Sequence, residues 1–301
     1  MPTSRSCPVC DTPADQAQLF IAKNIDPERL SGFSFASRKT PEYMCHQLVR
    51  CQVCDLVYAD TPPAVEELAQ AYHTASYDSA EEANDAAMSY AKAISPVLQA
   101  LPHHGVALEI GTGTGIFLEH LKADGFKDLI GVEPSSAAIA AAPESRKLWI
   151  REGMFREEDF EPGSIDLICC FMTMEHVRDP REITEAALRL LRPGGAFVTV
   201  THDYRSIVNR LLGRRSPIID IEHLQLFSRQ SIRELFERTG FENVSIESFH
   251  NNYSLRYWLR ISPLPGFVKN IFEKIIASPL LSRRHIKINV GNTIAAGFRK
   301  R

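Results

Sequence analysis

Glu109-Ile110-Gly111-Thr112-Gly113-Thr114-Gly115 decides how this chain folds. The apolar run Val106–Leu108 precedes it, and the helix-like Ile116-Phe117-Leu118-Glu119-His120-Leu121 follows. Strand, glycine turn and helix in this order make a nucleotide-type site, because glycine lets a ligand lie against bare backbone at a helix N-terminus. A dinucleotide fingerprint spaces its glycines as G-x-G-x-x-G, and here Ile116 fills the last glycine position. A second strand, Leu129-Ile130-Gly131-Val132-Glu133, ends in an acid 20 residues after Gly113. A carboxylate there can accept both hydrogen bonds from ribose hydroxyls, the role acids play at this point of doubly wound folds. A solvated turn acid is the plainer alternative.

Further along, Ser164-Ile165-Asp166-Leu167-Ile168-Cys169-Cys170 is nearly all apolar, as a strand buried on both faces should be. It runs into Thr173-Met174-Glu175-His176-Val177-Arg178-Asp179-Pro180, the helix Arg181–Leu191, the turn Arg192-Pro193-Gly194-Gly195 and the strand Ala196–Val200. Together with E-x-G-x-G-x-G, this series resembles the "fD", "EHv-x-DP" and "LxPGG" signature of class I S-adenosylmethionine-dependent methyltransferases, in order and spacing. The resemblance covers roughly half the chain. It implies an α/β doubly wound, Rossmann-like sheet of strand order 3-2-1-4-5-7-6 with the last strand antiparallel. Strands are expected at 106–110, 129–133, 147–150, 164–170, 196–202, 244–249 and 292–298. Helices are expected near 115–123, 135–142, 180–191 and 228–239.

Cys7-Pro8-Val9-Cys10 and Cys51-Gln52-Val53-Cys54 are two C-x-x-C knuckles with 40 residues between them. Two knuckles can close a tetrahedral shell around one zinc ion, and four thiolates leave no open position, so such a metal is structural. About 60 residues bury too little apolar surface to be comfortably stable alone. Zinc binding can supply on the order of 10 kcal/mol. Disulfides or spare thiols are the competing reading, disfavoured in a reducing compartment. Cys45 and His46 stand near enough to replace one ligand, and Cys169 and Cys170 read as small apolar packing.

The stretch Leu48-Val49-Arg50-Cys51-Gln52-Val53-Cys54-Asp55-Leu56-Val57-Tyr58 resembles the "lvrC-x-x-CGlvy" zinc module that precedes the methyltransferase domain of bacterial sugar and small-molecule methyltransferases. Asp55 stands where that module usually has glycine, which bears on the knuckle turn. The expected organisation is a zinc-ribbon-like module over 1–60, a helical connection and pocket cover over 61–105, and a methyltransferase domain over 106–301. The sugar C-methyltransferases carry a further C-terminal domain beyond the one this sequence shows. O-methylation of a sugar, nucleotide sugar or other small acceptor is therefore expected beside C-methylation.

What the resemblance implies for the site is specific. Gly111, Thr112, Gly113 and Gly115 approach the methionine part of S-adenosylmethionine, Glu109 helps hold its amino group, and Glu133 binds the ribose. Met154 and Phe155 line the adenine pocket, with core packing as their plainer role. Acceptor deprotonation calls for a base near neutral pKa, which suits histidine. His223, in Ile221-Glu222-His223-Leu224-Gln225-Leu226-Phe227-Ser228, resembles the "eHl-x-x-Fs" motif and is the first choice. Glu222 is its orienting or acidic neighbour, and His176 is the second choice. Tyr72 and Tyr77 resemble the aromatic pair that covers the pocket.

Bulk properties bound the rest. Hydrophobic content of 44% and charged content of 24% are ordinary for a globular protein. With no apolar segment in Met1–Asp11 and no run of about 18 apolar residues, the expected location is the cytoplasm. A net charge of −3 argues against a whole-protein grip on nucleic acid. From His250 onward, however, ten Lys or Arg face only Glu273, so that segment carries +9. Within the basic insertion 251–287, Phe267–Ile276 reads as an amphipathic helix. It suits an anionic acceptor, an anionic membrane surface or plain solvent. Two other functions compete. An RNA methyltransferase would need a more basic zinc module than residues 1–60 provide. A non-catalytic zinc-bearing module would not need an intact glycine loop and Glu133.

Overall fold

The computed structural model describes residues 4–275, 281 and 284–301. The chain begins with β1 (Ala17–Ile21), β2 (Leu48–Cys51) and β3 (Val57–Ala59), then α1 (Val65–His73) and α2 (Ala80–Ala100). Alternation follows: β4 (Val106–Ile110), α3 (Ile116–Ala123), β5 (Asp128–Glu133), α4 (Ser136–Ala141), α5 (Glu144–Lys147), β6 (Ile150–Glu152), β7 (Ile165–Phe171), α6 (Pro180–Leu190) and β8 (Leu191–His202). The remainder is α7 (Ile207–Leu212), β9 (Gln225–Leu226), α8 (Arg229–Thr239), β10 (Glu242–Ser248), β11 (Asn251–Ser254), α9 (Leu255–Ile261), α10 (Gly266–Ile275), β12 (His285–Ile288) and β13 (Asn292–Phe298).

Seven strands pair in the order β10-β13-β8-β7-β4-β5-β6. Counted from β4 as the first strand, this is 3-2-1-4-5-7-6. β13 runs antiparallel to both β8 and β10, while the β8, β7, β4, β5 and β6 pairings are parallel. β7 is buried at every position, because helices cover both faces of a parallel sheet. Cys169 and Cys170 accordingly pack as small apolar groups. Local signals set the helix ends. Asp179 caps α6 by accepting from Arg181 N at 2.9 Å, with Pro180 at the first helical position.

One strand lies elsewhere than the sequence suggests. The third was expected at 147–150, but 144–147 form α5 and β6 starts at Ile150. Glu144, Arg146 and Lys147 are good helix formers, and Arg146 is further held by Glu119 at 2.7 Å. The Arg192–Gly195 turn is also no interruption between elements. It forms an irregularity inside β8, which pairs with Ile165 before it and Leu167 after it.

The N-terminal residues do not complete a sheet alone. β1, β2 and β3 form a four-stranded sheet with β9, which comes from much later in the chain and pairs with β3 through Val57↔Leu226 and Tyr58↔Gln225. Cys7, Val9, Cys51, Cys54 and Leu56 share one buried cluster with Leu108, Ile168 and Phe236 of the large sheet layer. Both knuckles end in an aspartate in the left-handed region, Asp11 at φ 60° and Asp55 at φ 64°. Asp tolerates this conformation better than most residues. Each carboxylate pairs with an arginine of the larger body, Asp11 with Arg181 and Asp55 with Arg205.

α9 and α10 come from the basic insertion expected over 251–287, of which 276–280, 282 and 283 lie outside the described residues. So does Ile276, the expected last residue of the amphipathic helix. Phe267, Ile271, Phe272 and Ile275 are exposed on α10. No helix among the described residues is long and apolar enough to cross a membrane.

Candidate active site

A cavity of about 420 Å³, within the size range of small-ligand sites, opens at the carboxyl edge of the sheet. Its floor is the loop between β4 and α3. Gly111 has φ 77°, and a Cβ on it would sit 2.3 Å from Thr173 Oγ1. Glycine is therefore required both by conformation and by space. Gly113, at φ 57°, meets nothing within 4 Å of where its Cβ would lie, so its bare backbone faces the cavity. Gly115 caps α3 in the left-handed conformation.

Glu133 ends β5 beside this loop. Its carboxylate accepts from Gly113 N at 2.7 Å and from Ser135 N at 2.9 Å. Burial raises its pKa, against the pull of those two donors. Each oxygen keeps a free lone pair for a ribose hydroxyl. Glu109 is buried one turn of the loop away and accepts the Thr112 hydroxyl. Burial pushes its pKa to about 8, and a donor ammonium beside it would restore its charge. Met154 and half-buried Phe155 line the same cavity just after β6, and Phe155 also stacks on Phe160 at 5.8 Å.

Glu133→Gln keeps the shape and removes the charge. It is expected to weaken binding of S-adenosylhomocysteine roughly tenfold to hundredfold, the worth of a hydrogen bond to a charged group. Calorimetry checks this, and unchanged affinity would remove Glu133 from the cleft's working residues.

The opposite wall holds the acceptor candidates. His176 lies between β7 and α6, and Glu222 and His223 lie before β9; each of the three brings a donor atom within 4.8 Å of the others. His223 is buried, and its Nδ1 lies 2.8 Å from the Ile218 carbonyl. A carbonyl can only accept, so Nδ1 carries the proton and Nε2 keeps a lone pair. His176 Nδ1 lies 3.1 Å from the Tyr72 hydroxyl and 3.7 Å from Glu222 Oε2. A hydroxyl can donate or accept, so these contacts do not fix its tautomer. Burial drives the His176 pKa down to about 3 and that of Glu222 up to about 8. Tyr77 lines the cavity too, and its buried hydroxyl has no hydrogen-bond partner among the described residues.

Several lining groups were not singled out from sequence. Lys39 is buried and pairs with Asp220 at 2.6 Å and Glu42 at 3.1 Å. Burial lowers its pKa, but Glu222 and Asp220 outweigh that and hold it above the usual value. His202 ends β8, and its backbone N–H donates to buried Glu175 at 2.7 Å. Thr201-His202-Asp203 is a polar triplet closing an apolar strand at the edge where ligands bind, a signal that could have flagged it.

The knuckles converge away from this cavity. The four Sγ atoms of Cys7, Cys10, Cys51 and Cys54 lie within 4.8 Å of one another, with Cys7–Cys54 at 3.4 Å and Cys10–Cys51 at 3.5 Å. A tetrahedral zinc with bonds of about 2.3 Å needs sulfurs a little under 4 Å apart, so the set fits. Cys45 donates to Asn24 at 3.3 Å and stands outside the cluster, as does His46.

An antiparallel last strand beside five parallel ones, with a glycine loop and an acid at adjoining strand ends, defines the class as the class I S-adenosylmethionine-dependent methyltransferases. A family model described as a methyltransferase domain matches residues 80–246, more than half the chain, and the chain belongs to that family. The chain is 33% identical over 113 residues to the ubiquinone biosynthesis O-methyltransferase of Sodalis glossinidius, covering 35% of this chain and 45% of that one. It is 27% identical over 200 residues to the enzyme of that name from Methylococcus capsulatus, covering 64% and 76%. Among solved structures, it resembles a Thermotoga maritima S-adenosylmethionine-dependent methyltransferase described as a possible histamine N-methyltransferase. That match has 21% identity, 72% and 91% coverage and a TM-score of 0.48.

Proposed function

We propose that this protein methylates a hydroxyl group of a small acceptor, with His223 as general base. One observation carries the reading: the Ile218 carbonyl commits the His223 proton to Nδ1, leaving Nε2 basic in the cavity that Glu133 and the glycine loop also line. The donor supplies a methyl group on a positively charged sulfur. The chain's own residues hold the acceptor oxygen in line and take its proton. Glu222, protonated at neutral pH, donates a hydrogen bond to the acceptor, and the Tyr77 hydroxyl supplies a second contact. His176 and Tyr72 form the side wall. The names of the Sodalis and Methylococcus relatives support O-methylation, and the resemblance of the zinc module supports a sugar or nucleotide-sugar acceptor. We also propose that the four cysteines hold a structural zinc ion.

The test supplies labelled methyl donor with sugar nucleotides, free sugars, phenols and bulk RNA, and locates the label by mass spectrometry and carbon NMR. Label on oxygen of a small acceptor is expected. Label on carbon, or only in RNA, would overturn the reading.

A further inference from the structure

Between the two knuckles the chain sends Ser37-Arg38-Lys39 into the wall of the cavity. The two cations meet different company. Lys39 is neutralised by Asp220 and Glu42. Arg38 enters none of the ion pairs among the described residues. Its Nη1 donates to Ser37 Oγ at 3.0 Å, and its guanidinium sits among the hydroxyls of Tyr90, Tyr253 and Tyr257. Its backbone is in the left-handed region at φ 57°, costly for a residue other than glycine, and Arg260 Nη2 pins its carbonyl at 3.0 Å. A planar fork of donors is thus held in the wall of the cavity, ion-paired with no carboxylate among the described residues. Neutral hydroxyls do not replace that partner.

The donor brings one carboxylate, attached to the same carbon as its ammonium group. Glu109 is the acid expected to receive the ammonium, and it lines the same cavity, near enough to Arg38 for the arginine to favour its ionised form. We propose that Arg38, contributed by the N-terminal cysteine module, receives the methionyl carboxylate of S-adenosylmethionine, opposite Glu109. The inference rests on the methyltransferase reading. It adds that the cysteine-bearing segment completes the donor site and is more than a structural appendage. Arginine, with two parallel donors, suits a carboxylate better than lysine does.

Calorimetry on the full chain tests this with two ligands, S-adenosylhomocysteine and its decarboxylated form, which keeps the amine and lacks only the carboxylate. The wild type should bind the first at least roughly tenfold more tightly, as a charge-assisted bidentate contact requires. Arg38→Met should abolish that preference and leave affinity for the decarboxylated ligand unchanged. Arg38→Lys, which serves if the methionine variant does not fold, should keep a reduced preference. A preference retained in Arg38→Met, equal losses for both ligands, or no preference in the wild type would each overturn the assignment. An Arg38→Met variant that binds both ligands like the wild type but loses only an acidic acceptor would place the anion on the acceptor and overturn it too. A wild type that binds neither ligand would instead sink the methyltransferase reading beneath it.

Discussion

Stripping the metal, or replacing Cys51 and Cys54 together by serine, should release about one equivalent of zinc and lower the melting temperature by at least roughly 5 °C. Structural zinc supplies on the order of 10 kcal/mol in small isolated modules. A whole domain is stable by only about 5–15 kcal/mol. In a body this size each kcal/mol moves the midpoint by roughly 1.5 °C. The full figure does not apply here, because the module shares a buried cluster with the large sheet and borrows β9. Those contacts hold part of the module after the metal leaves. Even a third of the zinc term exceeds what most single substitutions remove. The loss should also reach the cleft, since the segment closed between Cys10 and Cys51 carries Arg38 and Lys39. Donor affinity is therefore expected to fall with the metal. Elemental analysis, calorimetric melting and donor titration on one preparation check all three. Protein purified without tightly bound metal, or a double variant melting like the wild type, would refute the structural zinc.

The glycine loop and the acid that closes the neighbouring strand were legible because each is local. Gly111, Gly113 and Glu133 sit in unbroken strand–turn–helix patterns, where short-range sterics and hydrogen bonding decide the conformation. The third strand was harder. Its three residues carry too little periodicity to outweigh the helix-forming Glu144–Lys147 ahead of it. The partners of the acceptor wall were not legible at all. Lys39 meets Asp220 across 181 positions and Tyr72 meets His176 across 104, and no local pattern encodes such a meeting. Asp55 shows the same limit. Its place in a glycine position of the knuckle turn was visible, and its left-handed backbone agrees. The compensation, Tyr204 donating to its carboxylate at 2.7 Å beside Arg205, comes from 149 residues away.

His223→Ala should cut turnover at least roughly tenfold, the low side of what a positioned general base contributes, while donor affinity stays unchanged. The pH profile separates this from a structural loss. Burial lowers the His223 pKa below its ordinary value, and His202 lowers it further, while Glu175, Asp220 and the Ile218 carbonyl oppose the shift. Also facing this cluster are His176, Tyr72, Glu222 and Lys39. The sign follows. A base must be unprotonated to act, so activity is full at pH 7 and is lost only as pH falls through a value below about 6.5. That acid limb should vanish in His223→Ala, and added imidazole should restore part of the rate by occupying the space left beside Ile218. Glu222→Gln provides the contrast. Glu222 holds its proton up to about pH 8, so the neutral amide mimics the form present at pH 7 and should retain most of the activity there. Above pH 8 the wild type gains a carboxylate beside His176 that the amide cannot supply, and the two profiles should part. Turnover unchanged in His223→Ala with the true acceptor, or an acid limb that survives the substitution, would move the base to His176, whose tautomer its own contacts leave free.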